Sequence, residues 1–87
     1  MITARVGETV TLVLPETPTT GYRWRLTSQL EVVSDEFHPS GTTPGAAGER
    51  VVVLRVGSAG RHEVLAELAR PWESKVRDVR TFMVDAS

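Results

Sequence analysis

Apolar and polar residues alternate with a period of two in several short runs, and nothing else in the chain constrains its fold as strongly. In Thr9-Val10-Thr11-Leu12-Val13-Leu14, an extended backbone puts Val10, Leu12 and Leu14 on one face and Thr9 and Thr11 on the other. That is the pattern of a half-buried strand, and Pro15 is expected to end it. Tyr22, Trp24 and Leu26 repeat the period with Arg23, Arg25 and Thr27 opposite, which predicts a second strand with Tyr22 and Trp24 in the core. Residues 30–37 carry the β-branched pair Val32 and Val33 and are read as extended. Val51-Val52-Val53-Leu54-Arg55-Val56 is the most β-prone run, stopping at Gly57, and Thr81-Phe82-Met83-Val84 closes the series with Phe82 and Val84 inward.

Residues 61–70 fit two descriptions. Arg61-His62-Glu63-Val64-Leu65-Ala66-Glu67-Leu68-Ala69-Arg70 is rich in helix formers, and Val64, Leu65 and Leu68 make a helical stripe. A strand would instead align Val64, Ala66 and Leu68. Gly60 supplies no N-cap side chain, and ten residues make a marginal helix without tertiary support. Short strands at this spacing, separated by Gly- and Pro-rich turns, suggest an all-β sandwich.

Composition narrows the function. Eighty-seven residues are expected to form one domain over 1–87. Ten Lys and Arg against eleven Asp and Glu give a net charge of −1, so no general field favours nucleic acid or an anionic membrane. No stretch reaches the roughly 20 apolar residues of a membrane-spanning helix. The start, Met1-Ile2-Thr3-Ala4-Arg5-Val6-Gly7, has no secretory pattern, which leaves a cytoplasmic protein or a trimmed exported domain with an added Met1. The absence of cysteine excludes disulfides, thiolate metal clusters and a cysteine nucleophile. His38 and His62 lack metal-ligand spacing, and His62 is read as a structural histidine. The serines form no Gly-x-Ser-x-Gly elbow. An enzyme is not expected, nor a metal or cofactor.

Three loops carry the specific signal. Thr17-Pro18-Thr19-Thr20-Gly21-Tyr22, followed by Trp24, resembles the Asn-Pro-Thr-Thr-Gly-(Tyr/Phe) loop of chagasin-like inhibitors of cysteine peptidases. Gly45-Ala46-Ala47-Gly48 is similar to that family's glycine-rich second loop, and Arg70-Pro71-Trp72 matches its Arg-Pro-Trp motif. The three occur in the family's order and span essentially the whole chain. The resemblance implies an immunoglobulin-like β-sandwich of about seven strands in two antiparallel sheets, with residues 61–70 a strand leading into Arg70-Pro71-Trp72. It also implies a reversible inhibitor whose three loops wedge into the active-site cleft of a papain-like cysteine peptidase. Thr19 and Thr20 would then face the catalytic Cys-His pair. A monomer is expected, because the loops must reach a narrow cleft. The competing description is a non-inhibitory immunoglobulin-like interaction module, since this fold hosts many binding roles.

The residues themselves fit such a loop set. Pro18 fixes its φ and stiffens the first loop, and Gly21 can adopt positive φ and let its backbone approach a partner. Trp72, set by Pro71 in a loop, is placed off the core as an anchor. Arg70 either contacts the peptidase or bonds a neighbouring loop. Two departures stand out: Thr17 replaces the family's Asn and caps a turn more weakly, and Ala47 replaces part of a Gly-Gly pair and resists positive φ. The near-zero net charge implies weak dependence of binding on salt.

Overall fold

The computed structural model describes residues 1–42 and 47–87. Among the described residues seven strands form two sheets: β1 (Ile2–Ala4), β2 (Thr9–Glu16), β3 (Arg23–Thr27), β4 (Glu31–Pro39), β5 (Gly48–Arg55), β6 (Gly60–Ala69) and β7 (Val76–Ala86). One sheet has the order β1-β7-β6-β3, the other β2-β5-β4. All pairings are antiparallel except that of β1, which runs parallel to β7 and is too short to extend the sheet past Val84 to Ala86. Residues 61–70 lie almost wholly within β6, so sheet pairing overrides their helix propensity. Val64 and Ala66 are fully buried on the face the strand reading assigns them.

Alternation holds in β2, where Val10, Leu12, Leu14 and Glu16 are buried and the residues between them face outward. The strand does not stop at Pro15 as expected. β2 is an edge strand, and Pro15 turns its missing N–H to the open side, where its carbonyl accepts the indole Nε1–H of Trp24 at 2.7 Å. In β4 a register shift between Val32 and Ser34 leaves Val32 and Val33 on the surface.

The core divides along the sandwich. Ala4, Val10, Leu12, Leu30, Val52, Leu54, Val56, Val64, Val84 and Ala86 pack in the larger cluster. Leu14, Trp24 and Ala66 form the smaller one, with Leu26, Leu68 and Phe82 against it. On β7 the core-facing positions opposite Leu68 and Ala66 are Asp78 and Arg80, along a stretch that β1 does not cover. Charges aimed inward at an open edge oppose pairing with another chain. The Arg80 guanidinium also lies 5.3 Å from the Trp24 ring, covering the smaller cluster.

Strand direction brings the three motif-bearing connections to one end. Glu16, at the end of β2, is opposite Gly48 at the start of β5, and Pro39 at the end of β4 is opposite the same glycine. Arg23, opening β3, is opposite Ala69, which closes β6 and pairs with Val76 of β7. The links β2–β3, β4–β5 and β6–β7 therefore emerge together, beside the Trp24 cluster.

Candidate functional site

The first loop is a closed turn. A single 3-10 turn spans Pro18–Thr20, entered from Thr17 in extended conformation and left through Gly21 at φ 80°. The Thr20 and Gly21 amides donate to the Thr17 and Pro18 carbonyls at 3.1 and 2.9 Å. Thr17 makes no side-chain cap, and Thr20 closes the turn from the other end: its hydroxyl donates to the Thr17 carbonyl at 2.7 Å and accepts the Tyr22 amide at 3.3 Å. The Thr20 hydroxyl is thus engaged within the loop. Thr19 and Pro18 are exposed at its tip.

The third loop is a β-turn. The Glu73 amide donates to the Arg70 carbonyl at 3.1 Å, which puts Pro71 and Trp72 at the two central positions. A 2.9 Å ion pair between Arg70 and Glu73 braces the turn. This bond and the charge of Glu73 hold the Arg70 guanidinium above its ordinary pKa. Trp72 is 71% exposed, as its place outside the alternation implied.

These two loops are bonded to each other. Arg70 Nε donates to the Thr20 carbonyl at 2.8 Å, and its guanidinium lies 4.3 Å from the Tyr22 ring. Arg70 thus bonds a neighbouring loop, one of the two roles open to it. Tyr22 is half-buried and outside both core clusters, contrary to the sequence reading. It lies one residue before β3, with Arg70 and Arg77 stacked on it, the latter at 5.0 Å. Trp72 leans on Gly21, where a Cβ would come within 2.5 Å of its Cη2.

The second loop is described at its ends. Gly45 and Ala46 lie outside the described residues. Ser40 and Ala47 close it, the Ser40 amide donating to the Ala47 carbonyl at 3.0 Å. No described residue other than glycine has positive φ, so Ala47 carries no backbone strain there. Gly48 is not a loop residue; it opens β5 and is buried. Any side chain there would strike the His38 carbonyl, the Phe37 ring and Pro39, so the glycine permits the close approach of β4 to β5. Thr17 and Thr20, Ala47 and Gly48, and Arg70 line one shallow groove of about 290 Å³, floored by Glu16 and Leu68. All three loops reach that groove.

Beneath it is an ionic centre that the sequence reading missed. Glu16 is 4% exposed. One carboxylate oxygen accepts the Trp24 amide at 3.1 Å, which ties together the two ends of the first loop. The other accepts Nε and Nη2 of Arg50 at 3.1 and 2.7 Å. Arg50 also binds Asp35 at 3.1 Å, and this double pairing raises its pKa above the ordinary guanidinium value. The pair therefore joins the base of the first loop to the strands flanking the second. The signal was the alternation itself: continued past Pro15 it turns Glu16 inward, and continued back from Val52 it turns Arg50 inward.

Against this geometry, residues 3–86 match the family described as Chagasin family peptidase inhibitor I42. The chain belongs to that family. Chagasin of Trypanosoma cruzi is 33% identical over 92 residues, an alignment covering 95% of this chain and 84% of that protein. A crystal structure of a cysteine protease inhibitor from Entamoeba histolytica has the same fold, with a TM-score of 0.84 and 19% identity over 99% of this chain and 84% of the other. The solution structure of Amebosin aligns with a TM-score of 0.61 and 27% identity, covering 98% of this chain and 84% of its own. The family is one of peptidase inhibitors, not enzymes. The His62 ring donates to the Ser58 carbonyl at 2.8 Å, and His38 pairs with Glu36 on the surface.

Proposed function

We propose that this protein is a reversible, competitive inhibitor of papain-like cysteine peptidases, acting as a single-domain monomer. Its first and third loops enter the target's cleft as one preformed edge, with Thr19 at the tip of the first and Trp72 at the tip of the third, and the second loop, residues 45–47, joins them in the cleft. The observation that carries this reading is the joining of the first and third loops, by the Arg70–Thr20 hydrogen bond and the seat of Trp72 on Gly21. Loops locked together before binding lose little conformational entropy on docking. A rigid, exposed aromatic at the tip is the kind of residue that dominates an interface.

The same hydrogen bonds account for inhibition without cleavage. A peptidase of this class attacks a carbonyl presented on an extended segment, where the developing oxyanion meets backbone and side-chain donors. In the first loop the carbonyls of Thr17, Pro18 and Thr20 already accept bonds from Thr20, Gly21 and Arg70. The turn fills the cleft with three carbonyls already bonded and with a 3-10 backbone in place of the extended one a substrate offers. The Thr19 hydroxyl, which makes no hydrogen bond among the described residues, faces the Cys-His pair, while Thr20 holds the turn.

Titration against papain and a cathepsin L-like peptidase with a fluorogenic peptide tests the proposal. Stoichiometric inhibition relieved by excess substrate is expected. No inhibition of either peptidase at micromolar protein would replace it with the non-inhibitory interaction module.

A further inference from the structure

The net charge of −1 conceals a division of charge across the loop end. On the four-stranded sheet, Arg23, Arg70 and Arg77 gather around Ala69, because Arg23 and Val76 are its partners in the neighbouring strands. Lys75 immediately precedes β7. Against these four cations stands Glu73, already paired with Arg70; Glu67 is opposite Arg25, and Asp78 and Arg80 pair with each other at 3.6 Å. Arg23, Lys75 and Arg77 are exposed and form no ion pair among the described residues. The three-stranded sheet is the reverse. Arg50 is shared by Glu16 and Asp35, Glu36 meets His38, and Glu49 lies opposite His38 on β5, so carboxylates outnumber the one guanidinium on that flank.

Arg77 is the most exacting part of this arrangement. Its guanidinium and that of Arg70 lie 5.0 and 4.3 Å from the one Tyr22 ring, at the rim of the groove where the three loops meet. Two like charges share an aromatic ring, and among the described residues only Arg70 has a carboxylate partner. Stacking fixes where Arg77 sits and leaves its donors open to an outside acceptor, and a guanidinium fork matches a carboxylate.

We propose that Arg23, Arg70, Lys75 and Arg77 form a cationic face that docks against an acidic lip of the target peptidase's cleft, with Arg77 as its specificity-determining contact. The face orients the wedge, pairing the four-stranded side with the acidic lip, and it speeds encounter. This rests on the inhibitor reading above. It reverses the weak salt dependence that net charge alone implies, because steering follows the local field at the contact.

The experiment measures association and dissociation rates with a papain-like peptidase whose cleft lip is acidic, at ionic strengths of roughly 0.02 to 0.5 M, bracketing Debye lengths of about 20 Å down to about 4 Å. The proteins are the parent, Arg77→Glu, Arg77→Lys and Arg61→Glu. Arg61 lies at the start of β6 and Arg70 just after its end, so Arg61→Glu makes the same change in net charge at the far pole. For the parent, the association rate is expected to fall about tenfold across the range with little change in dissociation. Arg77→Glu should lose several-fold of the low-salt rate and flatten the salt dependence. Arg77→Lys should keep the slope and Arg61→Glu should stay within about twofold of the parent. Inhibition whose association rate ignores salt, or equal effects of Arg77→Glu and Arg61→Glu, overturns the cationic face and leaves the inhibitor reading intact. Absence of inhibition at every ionic strength overturns both.

Discussion

Gly21 and Trp72 are in contact across two loops separated by some fifty residues of sequence: a Cβ added at Gly21 would come within 2.5 Å of the indole Cη2. The glycine also has φ 80°, a region that side chains with a Cβ rarely occupy. One position therefore meets a backbone demand and a packing demand together, and both serve the alignment of the two loops.

Gly21→Ala should accordingly injure inhibition more than folding. Positive φ costs a non-glycine residue about 1 kcal/mol, and the added methyl displaces Trp72 from its seat. The expected outcome is a loss of roughly tenfold or more in inhibition with a drop of a few degrees in melting temperature. Adding Trp72→Ala to Gly21→Ala should then cost little further inhibition. Additive losses in that double mutant would show the contact to be incidental.

The two tryptophans should respond in opposite ways. Trp72→Ala removes an exposed ring and should weaken inhibition by about 1–2 kcal/mol or more, leaving thermal stability nearly unchanged. Trp24, 6% exposed and bonded through its indole to Pro15, should cost about 3–5 kcal/mol of stability when truncated to alanine. Chemical denaturation and inhibition assays on the same preparations separate the two effects.

Arg70→Lys tests whether the guanidinium's shape matters beyond its charge. Lysine keeps the cation but cannot at once bond the Thr20 carbonyl, pair with Glu73 and stack on Tyr22. Inhibition should fall by roughly tenfold, with the loss in the dissociation rate, as for truncation of a contact that sets geometry. An unchanged dissociation rate would mean that the loops stay aligned without this bond.

Glu16→Leu should leave Arg50 facing a half-buried site with only the exposed Asp35 as partner, and should leave the Trp24 amide without an acceptor. Removing one member of a buried pair commonly costs about 3–5 kcal/mol; access of water to Arg50 reduces this to about 2–3 kcal/mol. Glu16→Gln keeps an acceptor for Trp24 and should fall in between. The pKa of Arg50 is raised in the fold, so its contribution is complete below the ordinary guanidinium range and fades only as pH climbs beyond it. Melting temperatures between about pH 7 and pH 10 should show no loss attributable to Arg50.

The legible parts of this fold were those where burial and alternation coincide. Val10, Leu12, Leu14, Trp24, Val52, Leu54 and Val84 announce their strands because one face of each sheet is sealed and the other wet. Residues 61–70 were ambiguous because a central strand can tolerate helix-prone side chains when its backbone is paired on both sides. Glu16 and Arg50 were hidden because charged residues at inward positions look like strand ends until their partners are known. Tyr22 misled for a related reason: at the mouth of the sandwich its ring is covered by Arg70 from the third loop and Arg77 from β7, which periodicity does not report.

The most direct measure of the central claim is protection of a target's catalytic thiol. A papain-like peptidase saturated with this protein should react with iodoacetamide at a rate reduced by well over tenfold, and the Trp72→Ala protein should protect less at equal concentration. A complex that forms at one-to-one stoichiometry while the thiol is alkylated as fast as in the free enzyme would contradict the account, because the loops would then bind somewhere other than the cleft.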